Sequence, residues 1–298
     1  MAQDDFQVER SFLEKLERLT LHWQKSFPGL VGGHNISRFA GSGQEFLDHR
    51  NFHHGDDLRA VNWRAYMRLD KMFLKMFQVE PRVPVRLMLD TSLSMTTGTG
   101  VGRRKFDYAR RLAAALCYVA LVRLDTMTLH PFRERLGETL KCGGGRHRLA
   151  PVVEFLRGLE PGGRTNFFDV TRQFIGEHPT KGLVIVISDF LDENDCLKPL
   201  QYLADFGHEL QLIQLWAEED REPKQLGELE LTDAESGRQL EISFDEAAQA
   251  AYRASFDDYA ATIRRLALRN GGRYAGLPTS LPVEDALFSQ IMQPAGVA

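Results

Sequence analysis

The sequence predicts an α/β protein: a mostly parallel sheet flanked by helices, preceded by an N-terminal region of different texture and interrupted by an inserted β-hairpin. Three observations carry this. From Val83 onward, short apolar runs alternate with amphipathic stretches of helical length, the pattern of strands wrapped by helices. One run, Leu183-Val-Ile-Val-Ile187, is apolar throughout, as a central strand buried on both faces must be. Acids directly follow two of the runs, at Asp90 and just beyond Ile187 at Asp189, where open α/β sheets bind ligands.

Ser11 to Lys25 reads as an amphipathic helix, with Ser11 and Glu14 at capping-box spacing and Phe12, Leu16, Leu19 and Trp23 on one stripe. Pro28-Gly29 ends it. The stretch from Gly32 to Arg82 is glycine-punctuated and rich in His, Asp and Arg, with an alternating strand at Lys71 to Phe77. Residues 1–82 are therefore expected to form a distinct N-terminal region and residues 83–298 the α/β domain. Strands are expected there at Val85 to Leu89, Thr126 to His130, Leu183 to Ile187, Leu210 to Trp216 and Gly272 to Ala275. Helices are expected at Lys105 to Arg123, Leu149 to Leu156, Phe167 to Glu177, Leu197 to Phe206 and Asp245 to Arg269, the last stopped by Asn270-Gly271. Between Glu228 and Phe244 two alternating runs flank a polar, Gly-containing turn, which predicts a hairpin over residues 227–244.

Lys and Arg number 37 against 41 Asp and Glu, a net charge of −4, too near neutral for a general nucleic-acid or membrane-surface binder. The charge is uneven. Glu218 to Glu246 holds eleven acids and three bases, a local −8 that leaves +4 elsewhere, and the hairpin carries half of it. The longest apolar run, Leu112 to Val122, is eleven residues, short of the ~18 of a membrane span. With no signal peptide in Met-Ala-Gln-Asp-Asp, the expectation is a soluble cytoplasmic protein without a membrane span. Cys117, Cys142 and Cys196 form no CxxC pair and are expected to be packing residues.

Asp90-Thr91-Ser92-Leu93-Ser94 leaves the carboxyl end of the first strand of the α/β domain with an acid and two hydroxyls at alternate positions. Only oxygen is offered, which suits Mg²⁺ or another hard cation rather than zinc. Gly162-Gly163-Arg164-Thr165 places a hydroxyl at a helix start, and Ile185-Val-Ile-Ser-Asp189 ends the central strand in a second carboxylate. Asp90, Ser92 and Ser94 would equally serve as turn and capping residues at a strand-to-helix junction. The three loops together resemble the metal-ion-dependent adhesion site of the von Willebrand factor A family: DxSxS, then a Thr, then an Asp after a hydrophobic strand, with all five positions matched. The resemblance implies a von Willebrand factor A-like sheet binding Mg²⁺, Mn²⁺ or Ca²⁺. In it Ser92, Ser94 and Thr165 would coordinate the ion directly or nearly so, and Asp90 and Asp189 directly or through water. Mg²⁺ takes about six ligands, so one place would remain for water or for a carboxylate from a partner.

A second constellation comprises Gly41-Ser-Gly-Gln-Glu-Phe46, Arg50-Asn-Phe52, Gly55-Asp56-Asp57-Leu-Arg59, Asn62-Trp63-Arg64 and Arg68, followed by Lys75-Met-Phe-Gln-Val-Glu80. It resembles the bacterial domain-of-unknown-function family numbered fifty-eight, whose members carry an F…R…GDD.R.I.W…R block just ahead of an A-domain-like half. The resemblance runs from Leu30 to Phe288, with Asn62 where the family usually has Asp. Many members begin with two membrane-spanning helices, and this chain resembles the short soluble subgroup. The family is commonly associated with MoxR-type AAA+ ATPases, thought to act as chaperones in assembling or activating protein complexes, which implies such an ATPase or its client as partner. In physical terms, Asp56, Asp57, Arg59, Arg64 and Arg68 suit an ion-pair network fastening this region to the α/β domain, and Trp63 suits a packing anchor. His53-His54 reads as solvated loop and Arg103-Arg104-Lys105 as a solvated helix start.

Cys142-Gly-Gly-Gly-Arg146 lacks the P-loop form, no second Asp follows Asp90 at dehalogenase spacing, and there is no GxSxG elbow. The expected function is a non-enzymatic, metal-dependent module that captures an acidic residue of a protein partner and binds no nucleic acid. The alternatives are a Mg²⁺-dependent hydrolase or phosphotransferase drawing on Asp192 or Glu193, and a scaffold with a vestigial metal site.

Overall fold

The computed structural model describes residues 37–40, 45–54, 56–79, 84–98, 104–122, 127–143 and 145–291. The helix expected at Ser11 to Lys25 and Gly55 of the second constellation lie outside them. Two compact units emerge, one within Phe27–Arg82 and one that includes Val83–Ala298.

In the first, β1 (Ser37–Ala40), β2 (Glu45–Asn51) and β3 (Phe73–Val79) form an antiparallel sheet in the order β1-β3-β2, with a register shift between Phe46 and Asp48. Helix α1 (Trp63–Leu69) is capped by Asn62, whose side chain accepts the Ala65 N–H at 3.3 Å. Asn and Asp cap equally well, so the departure at this position preserves the helix start. Asp56 accepts from the Arg50 guanidinium and from the His53 N–H, both at 2.8 Å, while Asp57 accepts the Arg59 N–H at 2.9 Å. The His53 N–H, then the Arg50 guanidinium, hold the Asp56 carboxyl below its ordinary range. These bonds tie the Asp56-Asp57 segment together within its own unit. Trp63 is 52% exposed and stands edge-on to Tyr66 on a seven-residue helix that buries none of its residues.

The second unit is a sheet of β4 (Val85–Asp90), β5 (Met127–Phe132), β6 (Leu140–Cys142), β7 (Leu183–Ser188), β8 (Glu209–Trp216) and β11 (Arg273–Pro278), ordered β11-β8-β7-β4-β5-β6. Read from the β6 edge, the strands come third-second-first-fourth-fifth-sixth in chain order, parallel throughout except at the edge strand β6. It is a doubly wound, mostly parallel sheet flanked by helices, the fold class expected. One face carries α2 (Lys105–Val122) and α3 (Leu149–Gly158); the other carries α4 (Phe167–Glu177) and α5 (Leu197–Asp205). A short helix α6 (Glu218–Arg221) precedes the hairpin of β9 (Gly227–Thr232) and β10 (Gln239–Phe244). The long α7 (Glu246–Arg269) follows on the α4 and α5 side, and α8 (Val283–Ala286) packs beside α2.

Strand alternation sorts the core. Met88, Val184, Val186 and Leu212 pack with Phe167, Phe174, Leu200 and Ile263 on one side. Leu87, Leu89, Ile185 and Ile187, at the alternate positions, are buried on the other. β5 continues through Pro131, past its expected end at His130. Proline cannot feed a ladder, but β6 pairs only with Met127 to Leu129, so Pro131 lies where that edge asks for no N–H. Among the described residues no helix is long and apolar enough to cross a membrane. Cys117, Cys142 and Cys196 are buried and free of disulfides.

His130, His178 and His208 gather around Phe174, with the His130 and His178 rings 4.6 Å apart. The buried His130 ring meets the hydroxyls of Thr128 and Thr139 at 2.7 and 3.1 Å. Burial, followed by the charges of His178 and Arg86, pushes His130 down to about 3; burial, then Arg86, pushes His208 down to about 4 and also lowers His178. An unfolded imidazole titrates near ~6.5, so the folded chain binds fewer protons between these limits. Its contribution to stability is full above about pH 6.5 and is lost as the pH falls through that window. Urea unfolding is expected to show a lower midpoint at about pH 5 than at about pH 7.5, and His130→Gln is expected to shrink the difference.

Candidate functional site

The winding of the sheet reverses between β4 and β7, so the loops that leave their carboxyl ends part to opposite sides and open a crevice. Asp90, Ser92 and Ser94 lie on the first of these loops, Asp189 on the second and Thr165 at the head of α4; all five are buried. Asp90 accepts the Ser92 N–H at 2.9 Å on one oxygen and the Ser188 hydroxyl at 2.5 Å on the other. The Ser92 and Ser94 hydroxyl oxygens are 2.9 Å apart. Leu93 N–H donates to the Gly163 carbonyl at 3.0 Å and Gly162 N–H to the Thr91 carbonyl at 2.8 Å, which laces the DxSxS loop to the glycine turn. Gly163 has φ +74°, a left-handed conformation that glycine adopts without penalty. Just beyond, Asn166 caps α4 by accepting the Asp169 N–H at 3.0 Å, and Asp192 accepts the Phe167 N–H at 2.8 Å.

The loop after β7 is bent by Phe190, a buried residue at φ 59°. Bulky L residues avoid that region at a cost of order 1–3 kcal/mol. Phe190 is held on every side: its N–H donates to the Ser188 hydroxyl at 2.8 Å, its carbonyl accepts the Tyr259 hydroxyl at 2.6 Å, and its ring stacks on Phe167 at 5.7 Å. Asp189, one residue earlier, accepts the Leu191 N–H at 3.1 Å with its other oxygen on Lys105.

Lys105 corrects the expectation of a solvated basic cluster. It is 1% exposed, and its Nζ lies 2.7 Å from Asp189 Oδ2 and 3.0 Å from Asp220 Oδ2. A cation at the first residue of α2 faces the positive end of the helix dipole, and burial alone works to lower its pKa. The charges of Asp189 and Asp220 outweigh burial and hold the ammonium above its ordinary value. Asp90 is left differently: burial, then the neighbouring Asp189 charge, pushes it up to about 7 against the bonds from Ser188 and Ser92.

Thr165 already receives a carboxylate. Glu235, at the tip of the β9–β10 hairpin, accepts the Thr165 N–H at 2.9 Å on Oε2 and the Thr165 hydroxyl at 3.1 Å on Oε1. Arg164 Nε–H donates to the Glu235 carbonyl at 3.2 Å. The two partners are 70 residues apart, and no motif spacing links them; the acidic excess of Glu218 to Glu246 was the sole hint. Phe168, 61% exposed, lies in the first turn of α4 just after Thr165, and Leu191, 46% exposed, lies in the loop that carries Asp189.

Among the described residues no group of three or more His, Cys, Asp and Glu side chains is arranged to hold a metal. The arrangement rests on hydroxyls and two carboxylates instead. Such an all-oxygen set fits a hard cation in the chemistry of its donors; of the two carboxylates, Asp90 has uncharged partners in Ser92 and Ser188, whereas Asp189 is paired with the Lys105 ammonium. Of the acids a hydrolytic mechanism would draw on, Asp192 accepts the Phe167 N–H at 2.8 Å, and the exposed Glu193 lies 3.8 Å from Arg238.

The family model described as "Protein of unknown function DUF58" matches residues 48–265. An uncharacterized protein of Mycobacterium tuberculosis (strain ATCC 25618 / H37Rv) is 26% identical over 277 residues, 84% of this chain and 80% of its own length. An uncharacterized protein of Mycobacterium bovis matches to the same extent. Among solved structures, the conserved hypothetical protein BatB from Bacteroides thetaiotaomicron is similar with a TM-score of 0.41 and 16% identity, over 69% of this chain and 95% of its own. The SpRpn10 VWA domain is similar with a TM-score of 0.41 and 10% identity, over 72% and 99%. With its model matching well over half of these residues, the chain belongs to the DUF58 family of proteins of unknown function.

Proposed function

We propose that the chain is a non-enzymatic interaction module that captures an acidic side chain of a protein partner at the crevice between β4 and β7. Ser92, Ser94, Thr165 and Asp90, backed by Asp189, would hold Mg²⁺, Mn²⁺ or Ca²⁺ there. The observation that carries this reading is the Glu235 carboxylate on Thr165, where an N–H and a hydroxyl converge on the two oxygens of one acid. A bound ion would supply positive charge to an incoming carboxylate. The chain's own groups orient the pocket: the Ser92 N–H and Ser188 hydroxyl fix Asp90, and Lys105 balances Asp189. Exposed Phe168 at the head of α4 and Leu191 in the loop after β7 give the site the apolar surface that interaction sites carry. The engagement of Asp192 with the head of α4 favours this over hydrolysis. The family resemblance supports a MoxR-type AAA+ ATPase or its client in the cytoplasm as partner.

The test is a pull-down from native cell extract with and without Mg²⁺, comparing wild type with Asp90→Ala. Retention of an AAA+ ATPase or its client is expected to need the metal and to fall about tenfold or more in the variant. Equal retention by both proteins would overturn the proposal. One observation favours a vestigial site instead, the ammonium of Lys105 already seated on Asp189. Calorimetry that detects no Mg²⁺ or Mn²⁺ binding would select that reading.

A further inference from the structure

We propose that the β9–β10 hairpin is an intramolecular latch, in which Glu235 fills the place of the partner's carboxylate and the partner binds by displacing it. This rests on the reading that the crevice receives an acidic side chain. The presentation of Glu235 is built rather than incidental. Asp233 Oδ1 accepts the Glu235 N–H at 3.1 Å, the Ser236 N–H at 2.5 Å and the Ser236 hydroxyl at 2.6 Å. Asp233 N–H donates to the Arg238 carbonyl at 2.8 Å and Gly237 N–H to the Asp233 carbonyl at 2.9 Å, closing the turn. The tip is thus shaped before it meets Thr165, and both carboxylate oxygens are spent on that residue.

The ribbon behind the tip is weak by construction. Two strands alone are marginal in water, and nine of the twelve residues of this pair are exposed. Glu230 stands directly opposite Glu241 in the register, a like-charge pair that destabilises it further. At its root Gly227 has φ +108° with open space where a Cβ would be, which suits a pivot. An arm of this kind is placed by what its tip holds, and freeing the tip disturbs little of the core. A latch closed nine times in ten would lower the apparent affinity of a competing carboxylate about tenfold.

The experiment uses the full chain as wild type, Glu235→Ala and a control, Glu228→Gln, which removes an exposed acid of β9 away from the tip. Two quantities are read: amide hydrogen exchange at Thr165, and, with Mg²⁺ present, binding of a short glutamate-centred peptide against its glutamine counterpart. Glu235→Ala is expected to speed Thr165 exchange and to bind the glutamate peptide about tenfold more tightly than wild type, with Glu228→Gln unchanged in both. Unchanged Thr165 exchange would mean that the contact does not hold the tip, and the latch would fall whatever the crevice binds. Faster exchange with equal peptide binding by wild type and variant would also overturn the latch while leaving carboxylate capture intact. Faster exchange with no peptide binding by either would instead sink the capture reading, and the competitor role with it.

Discussion

Replacing Lys105 with methionine is expected to destabilise the protein by about 3–5 kcal/mol, the range for removing one partner of a buried pair. Methionine nearly matches the lysine stem in volume, so the loss isolates the charge. Asp189, itself buried, would lose its cation while remaining beside Asp90, whose carboxyl is already pushed up by that neighbour. An exposed ion pair would yield only about 0–1 kcal/mol. The size of the effect therefore reports whether the ammonium is buried. Urea unfolding should show a lower midpoint at unchanged slope. Adding Asp189→Asn to the variant should recover part of the loss, since the more buried of the two carboxylates on Lys105 then carries no unpaired charge and only the partly exposed Asp220 is left without its cation. A single-variant loss below about 1 kcal/mol would contradict the buried arrangement.

Phe167→Ala is expected to cost about 3–5 kcal/mol, as for other buried aromatics cut to alanine. Its ring is buried between Phe132, edge-on at 5.3 Å, and Phe190, stacked at 5.7 Å. It thereby joins the head of α4 to the bent loop after β7. Loss of the ring removes a wall that keeps Phe190 at its left-handed φ, so Asp189 should lose its placement as well. Leu200→Ala provides the comparison: it cuts the same core cluster at α5, away from the crevice. It should cost about 2–5 kcal/mol without changing metal-dependent partner retention at a temperature where both variants remain folded. Equal loss of retention in the two would show that Phe167 acts only through global stability.

The fold was legible where burial writes a continuous signal. Leu183 to Ile187 is apolar because both faces of β7 are covered, and the observed strand extends it by one residue to Ser188. β2 could not be read in the same way: its sequence is Glu-Phe-Leu-Asp-His-Arg-Asn, and the shift between Phe46 and Asp48 breaks the alternation that marks a strand. β6 is three residues long, too short for any period to show. In the site, the five oxygen-bearing positions were legible because each follows a strand or opens a helix. Ser188 stands within the Ile185 to Asp189 motif, but its bond to Asp90 depends on the register of β4 with β7, which no local pattern encodes. Lys105 was misread because a charged residue in a basic run looks solvated from sequence. A cation at the start of an apolar helix, where the dipole opposes it, was the signal that an acid must lie opposite.

The facing pair Glu230 and Glu241 has a consequence beyond the ribbon's own stability. A two-stranded sheet has no interior strand, so β9 and β10 each present an open edge, and open edges recruit strands from other molecules. A second ribbon laid alongside would extend a row of carboxylates with more carboxylates, and Glu228 would add to the repulsion. The acids that make the arm easy to free therefore also guard it against aggregation, so that it can leave the crevice without joining sheets with its neighbours.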